Sequence, residues 1–128
     1  MLEFNLRRIP TLNEYINAER IHRIKASRMK RDATTHCQLA VERQYSGEPL
    51  PEVPHRVIFR YFTKDMRTDL DNISSMVHKA VFDGMQKAMV DDVPFLKRDG
   101  LKYIAAHTDE FVGVDKENPR VEVEWEIL

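Results

Sequence analysis

The sequence predicts a single α+β domain over residues 1–128, a mixed β-sheet with two main helices in the order β-α-β-α-β-β. Three observations carry this. At 128 residues the chain has the length of one domain with a real core. Two long stretches, starting near Thr11 and near Leu70, place apolar or small residues at helical spacing. The last segment alternates: Val121, Val123, Trp125 and Ile127 are separated by Glu122, Glu124 and Glu126, which reads as a strand with one core face and one acidic face.

The elements follow in order. Leu2, Phe4 and Leu6 alternate with Glu3, Asn5 and Arg7, so a strand opens the chain and Pro10 ends it. Thr11 or Asn13 then caps a helix running towards Arg43. Its stripe is Tyr15, Ala18, His22, Ala26, Met29, Ala33 and Ala40, small enough to lie close to a sheet. Ile21 and Ile24 fall on the opposite, basic side, so either this helix breaks or it meets a partner subunit. Residues 46–54 hold one glycine and three prolines and read as a loop. His55 to Phe62 is rich in β-branched and aromatic residues and reads as a strand. Leu70 to Val90 is predicted as a helix with the stripe Ile73, Val77, Ala80, Val81, Gly84 and Ala88. Leu101 to His107 is the third strand, and Val121 to Ile127 the fourth.

Composition excludes several classes. The single cysteine, Cys37, allows neither an internal disulfide nor a cysteine-built zinc site, and fits a reducing compartment. No apolar run is long enough to span a membrane. The start of the chain lacks a charged-then-apolar signal pattern, so a cytoplasmic location is expected. Net charge is −1, but it is polarised. Arg20, Arg23, Lys25, Arg28, Lys30 and Arg31 cluster in the first helix, while acids dominate from Asp109 onwards. Such a chain can offer a basic face to phosphates, or simply carry two solvated surfaces.

The chemistry gathers in two acid pairs. Asp69 and Asp71 follow a strand and open a helix, and residues one apart share a side of an extended segment. Helix N-termini favour acids, so capping explains one of them, and one cap is enough. Asp91 and Asp92 stand at the far end of the same helix. Over about 20 residues the ends of a straight helix are roughly 30 Å apart. The pairs meet only if the helix stops early, near Gly84, and the chain folds back, or if they meet across a subunit interface. Two carboxylates about 4 Å apart repel by about 4 kcal/mol at an effective dielectric near 20, so a shared site holds a proton or a cation. All-oxygen donors suit Mg²⁺ or Mn²⁺ rather than zinc. Lys79 lies eight positions after Asp71, within reach of a substrate phosphate, with Asp83 spaced to pair with it. Phe82 is either a base-stacking residue or core. The five histidines show no metal spacing, and His78 reads as a surface residue.

The ordered set Asp69-Leu70-Asp71-Asn72, Lys79-Ala80-Val81-Phe82-Asp83-Gly84-Met85 and Asp91-Asp92 resembles the RusA family of Holliday-junction resolvases, found mostly in phages and prophages. Ile9 to Tyr15 and Lys102-Tyr103-Ile104 extend the similarity over most of the chain. The resemblance implies a homodimeric, RusA-like α+β crossover-junction endodeoxyribonuclease that binds branched DNA, four-way junctions above all, and makes paired nicks with Mg²⁺, or Mn²⁺ in its place. It implies recombination and repair in a bacterial cytoplasm, with no membrane and no organic cofactor. It makes Asp69, Asp71 and Asp92 metal ligands, with Asp91 in a lesser role. The family's lysine falls on Lys79 if one extra helical turn is allowed after Asn72, and on Ser75 at the shorter spacing. The arginine often found just before the first acid is here Thr68, with Arg67 one place earlier. The resemblance also requires the helix to end between Gln86 and Val90.

The expected activity is thus metal-assisted phosphodiester hydrolysis by Asp69, Asp71, Asp92 and Lys79. DNA contacts are expected from Arg67, Lys79, Arg20, Arg23, Arg28, Lys30 and Arg31. The alternative is a branched-DNA-binding module without catalysis. A Mg²⁺ phosphatase or nucleotide hydrolase ranks below both, because no glycine-rich phosphate loop is present.

Overall fold

A computed structural model describes residues 1–128. It is α+β, with one four-stranded mixed sheet and three helices. Strand β1 (Leu2–Asn5) is followed by a short 3₁₀ turn (Leu6–Arg8), helix α1 (Leu12–Ile21) and helix α2 (Arg23–Gln44). Then come β2 (His55–Thr63), α3 (Leu70–Lys87), a small hairpin of β3 (Met89–Val90) and β4 (Val93–Pro94), β5 (Ile104–Val114) and β6 (Arg120–Ile127). The sheet order is β1-β6-β2-β5; β2 and β5 run parallel and the other pairs antiparallel. No helix is long and apolar enough to cross a membrane.

The first predicted helix is two helices. Thr11 caps α1 in a full capping box with Glu14, as Thr-x-x-Glu allows. At His22 the backbone turns extended (φ −157°, ψ 104°), and its Nδ1 accepts the Lys25 N–H to start α2. The break resolves the conflict between the two apolar stripes only in part. Ala18, Ala26, Ala33 and Ala40 are buried, but Ile21 (84% exposed) and Ile24 (59%) flank the break in solvent. Three helices therefore replace two, and the β3–β4 hairpin is an addition to the predicted order. The third strand also moves. Tyr103 and Ile104 donate to Gly100 O in a turn, so the strand starts at Ile104 and continues to Val114.

One sheet face is core. In β2 every second side chain from His55 to Thr63 is buried, and with β1 and β6 it packs against α2 and α3 around Phe4, Phe59, Tyr61, Val77, Val81, Val121 and Val123. The opposite face is a ladder of charges. Arg56 pairs with Glu126 at 2.9 Å and Arg60 with Glu124 at 3.0 Å. Arg120 binds Glu122 and Asp115 and lies 3.9 Å over the Phe62 ring. The acidic face of β6 is thus answered by arginines of its own sheet.

Gly84 does not break α3. It is buried at the crossing of α3 on α2, where an added Cβ would stand 2.6 Å from Cys37 Cβ and 2.8 Å from Gln38 N. Gly84→Ala is expected to lower stability by about 2 kcal/mol, the cost of overpacking two rigid helices less a small propensity gain. A drop in the urea midpoint at unchanged slope would measure it. Cys37 itself is buried, which pushes its thiol far up and leaves it inert.

His36 gives the fold a pH dependence. Its Nε2 accepts the Asn5 N–H at 3.2 Å. Burial, with Arg8 and Arg43 nearby, holds its pKa below the ordinary 6.5. The unfolded chain therefore takes the proton first. This contribution is full above about pH 6.5 and is lost as pH falls towards the folded value. Thermal scans between pH 7.5 and 5 should show a steeper loss for wild type than for His36→Gln, which cannot titrate there.

Candidate metal centre

The link from β2 to α3 places the first acid pair. Thr63 Oγ1 donates to Asp65 O at 2.6 Å, and Asp65 accepts the Arg67 N–H, so the loop turns back on itself. Asp69 is the N-cap of α3, its carboxylate accepting the Asn72 N–H at 2.8 Å. Asn72 clamps the turn from two sides, donating to Thr68 Oγ1 and accepting the Asn13 N–H of α1. The sequence reading gave Asn72 no role; in the structure it ties the acid turn to α1. Asp71 follows in the first turn of the helix, exposed. Its carboxylate takes part in no hydrogen bond or ion pair, while Ser75 Oγ donates to its backbone carbonyl.

The second pair sits on the β3–β4 hairpin. Val90 pairs with Val93, leaving Asp91 (φ 49°) and Asp92 (φ 69°) as a two-residue turn. Positive φ at both central positions is the I′ pattern, which favours Asn-Gly. Both carboxylates are exposed. Helix α3 ends at Lys87, because Ala88 is extended (φ −67°, ψ 132°), short of the Val90 that the apolar pattern reaches and inside the Gln86–Val90 window that the resemblance implies. That early end does not join the pairs. The 18 residues of α3 run unbroken between them, and a helix of that length is about 27 Å long. Asp69 and Asp71 open the helix, with Asp71 already inside it rather than on an extended segment beside Asp69, and Asp91 and Asp92 adjoin in the hairpin turn; the two pairs stand at opposite ends of α3.

Lys79 is exposed on α3 between the two ends, and the possible pair with Asp83 is not made. Phe82 is core, packed edge-on against Phe59. Arg67 is exposed beside the acid turn. Arg20, Arg23, Arg28 and Arg31 are exposed along α1 and α2, and Lys30 is half-buried with Arg31 and Asp83 around a polar hollow between α2 and α3. A cleft of about 600 Å³ opens between residues 6–11, α2 and the loop after β2. Arg7, whose guanidinium donates to the Lys116 and Glu117 carbonyls, Arg8 and Lys64 line it together with Glu14, Asp32 and Asp65, and it reaches Thr68, next to Asp69. These cations lie outside the basic run from Arg20 to Arg31; Lys64 is close to the acid turn in sequence, and the fold brings Arg7 and Arg8 to it.

A different cluster lies away from both acid pairs. His78 Nε2 lies 2.7 Å from Asp109 Oδ1, and His107 Nδ1 lies 3.3 Å from Asp109 Oδ2. The buried Tyr61 hydroxyl donates to the same Oδ1 at 2.6 Å. Burial first, then the Asp109 hydrogen bond and charge, push the Tyr61 pKa far up, so it stays a donor. His78 is therefore not a surface residue: it packs on Phe59 and Phe82 and points at an acid. The available signal was His107-x-Asp109 on a strand, which puts both side chains on one face. Their meeting with α3 depends on β5 lying parallel beside β2.

A scan against protein-family models and a search of curated proteins find no match to this chain.

Proposed function

We propose that the protein is a Mg²⁺-dependent endodeoxyribonuclease for branched DNA, with each site assembled from two subunits: Asp69 and Asp71 of one protomer and the hairpin pair, chiefly Asp92, of the other. One observation carries the reading. Both acid pairs are exposed, and they stand at opposite ends of one unbroken helix. A two-fold axis perpendicular to α3 reverses the helix in the second copy, bringing the Asp91–Asp92 end of one beside the Asp69–Asp71 end of the other, twice. The surface around the acid turn suits a second copy. Strand β5 is an open sheet edge, and Met66, Phe111, Val112 and Val114 are exposed there.

The donor set fits Mg²⁺, being hard carboxylate oxygens, with the Asp71 carboxylate uncommitted. Mg²⁺ there would stabilise charge on the phosphate in transit and ease deprotonation of water. The chain does the rest. Asn72 and the cap of α3 fix the first acid pair, and the hairpin fixes the second. Lys79 offers a cation to a phosphate oxygen, and Arg7, Arg8, Arg67 and Lys64 lie where DNA would approach. Two sites related by the axis would nick a four-way junction symmetrically.

The test is cleavage of a synthetic four-way junction in Mg²⁺ against EDTA. Asp71→Asn should lose cleavage by at least about 10³-fold, as removal of a metal ligand would, while still shifting the junction on a gel. Wild-type cutting by that variant would end the assignment. A second reading has its own support: Asp69 is already spent as a helix cap, and one chain alone holds no complete acid site. A DNA-binding module would show a salt-sensitive gel shift and no nicks in either buffer.

A further inference from the structure

We propose that His78, His107 and Asp109 form a second metal site, selective for Zn²⁺ or a similar borderline dication rather than Mg²⁺. Each residue offers one ligand atom, and the three atoms lie within 4.8 Å of one another. Metal–ligand bonds of about 2.0–2.1 Å at tetrahedral angles put neighbouring donor atoms about 3.3 Å apart. His107 Nδ1 lies 3.3 Å from Asp109 Oδ2 and His78 Nε2 2.7 Å from Asp109 Oδ1, so the two imidazoles already meet one carboxylate, and side-chain rotation within this 4.8 Å cluster would bring both nitrogens and one oxygen onto an ion. The rings of His78 and His107 already stand 4.3 Å apart, centre to centre.

The surroundings hold these ligands in place. Tyr61 is buried and fixes Asp109 through its hydroxyl, the kind of outer partner that orients a ligating carboxylate. Phe59 packs against both imidazoles, at 4.7 Å from His78 and 6.3 Å from His107. His78 and Asp109 are mostly shielded, while the His107 side chain is 46% exposed. The open side leaves a fourth position for water or an anionic oxygen. Two imidazoles and one carboxylate suit zinc and its neighbours, and Mg²⁺ prefers oxygen alone.

The site is separate from the acid turn. His78 lies seven residues after Asp71, so it faces within about 20° of the same side, about 10 Å further along the helix. Its occupancy does not depend on the nuclease reading: a chain that never nicks DNA would still bind zinc here.

The experiment is a Zn²⁺ titration of tag-free, full-length protein, with Co²⁺ as a visible probe. Wild type should take up one Zn²⁺ per chain, unaffected by millimolar Mg²⁺, and give the intense visible Co²⁺ bands of a four-coordinate site. His107→Ala, at an exposed position, should fold as wild type by circular dichroism and bind at least about tenfold more weakly. Asp109→Asn should weaken binding similarly while keeping a hydrogen-bond acceptor for Tyr61. Unchanged titration curves in both variants, or no uptake by wild type, would overturn the proposal and leave His78–Asp109–Tyr61 a structural hydrogen-bond network.

Discussion

Mixing Asp71→Asn protein with Asp92→Asn protein, each inactive alone, is expected to restore junction nicking. If each site takes Asp69 and Asp71 from one subunit and Asp92 from the other, a mixed dimer carries both lesions in one site and none in the other. After full subunit exchange about half the dimers are mixed, each with one of two sites intact, so roughly a quarter of wild-type site activity returns. Because single intact sites nick only one strand, the product should be nicked junction rather than paired cuts. A site built within one chain gives the opposite result, since every chain in the mixture has lost a ligand and no activity can return. The measurement is single-turnover nicking of a labelled junction as the ratio of the two proteins is varied. Activity peaking at equal amounts supports the shared site. A flat zero, with dimers shown to exchange, sinks it.

That experiment exists because of what α3 does, and α3 was largely readable in the sequence. Its apolar stripe and its acid-rich start follow from local spacing and capping, which act within a few residues, whereas the pattern alone carried the helix on to Val90 and only the family resemblance implied an end between Gln86 and Val90. The capping box at Thr11 and the alternation of β6 were legible for the same reason. The break at His22 was harder, because a histidine carries no strong helix-breaking signal. It leaves helical geometry when α1 and α2 must each find the core. Gly84 is a poor marker for an early helix stop, because a glycine says only that a Cβ is unwelcome. Here the reason is Cys37 on the neighbouring helix.

The candidate sites divide the same way. Asp69, Asp71, Asp91 and Asp92 stand out in sequence because each pair is local. Whether the pairs meet is a question of geometry over about 27 Å of helix, and within one chain they do not. The His78–His107–Asp109 cluster is non-local: it joins α3 directly to the edge strand β5, with Tyr61 of the neighbouring β2 holding Asp109. No spacing rule anticipates that, since it follows from the parallel pairing of β2 with β5. Two cations of the cleft, Arg7 and Arg8, were hidden for the same reason.

Asp92→Gly should make the protein more stable and abolish its cleavage at once. Asp91 and Asp92 hold positive φ in a two-residue turn, a conformation that costs an L-residue about 1–2 kcal/mol, less for Asp than for most. Glycine removes that strain and one of two adjacent negative charges. Part of the gain is returned because glycine also frees the unfolded chain, so the net is about 0.5–1 kcal/mol of stabilisation. A hairpin selected for folding alone would carry Asn-Gly here; this one carries two acids at the cost of strain, as sites kept for chemistry tend to. Asp91→Asn supplies the contrast: asparagine suits the first turn position, so stability should hold or rise slightly, and nicking should largely survive because Asp92 remains. Urea midpoints and single-turnover nicking rates on the same preparations separate the cases. If Asp92→Gly gains stability and still cuts at the wild-type rate, the hairpin is only a turn, and the second half of the metal site must be sought elsewhere.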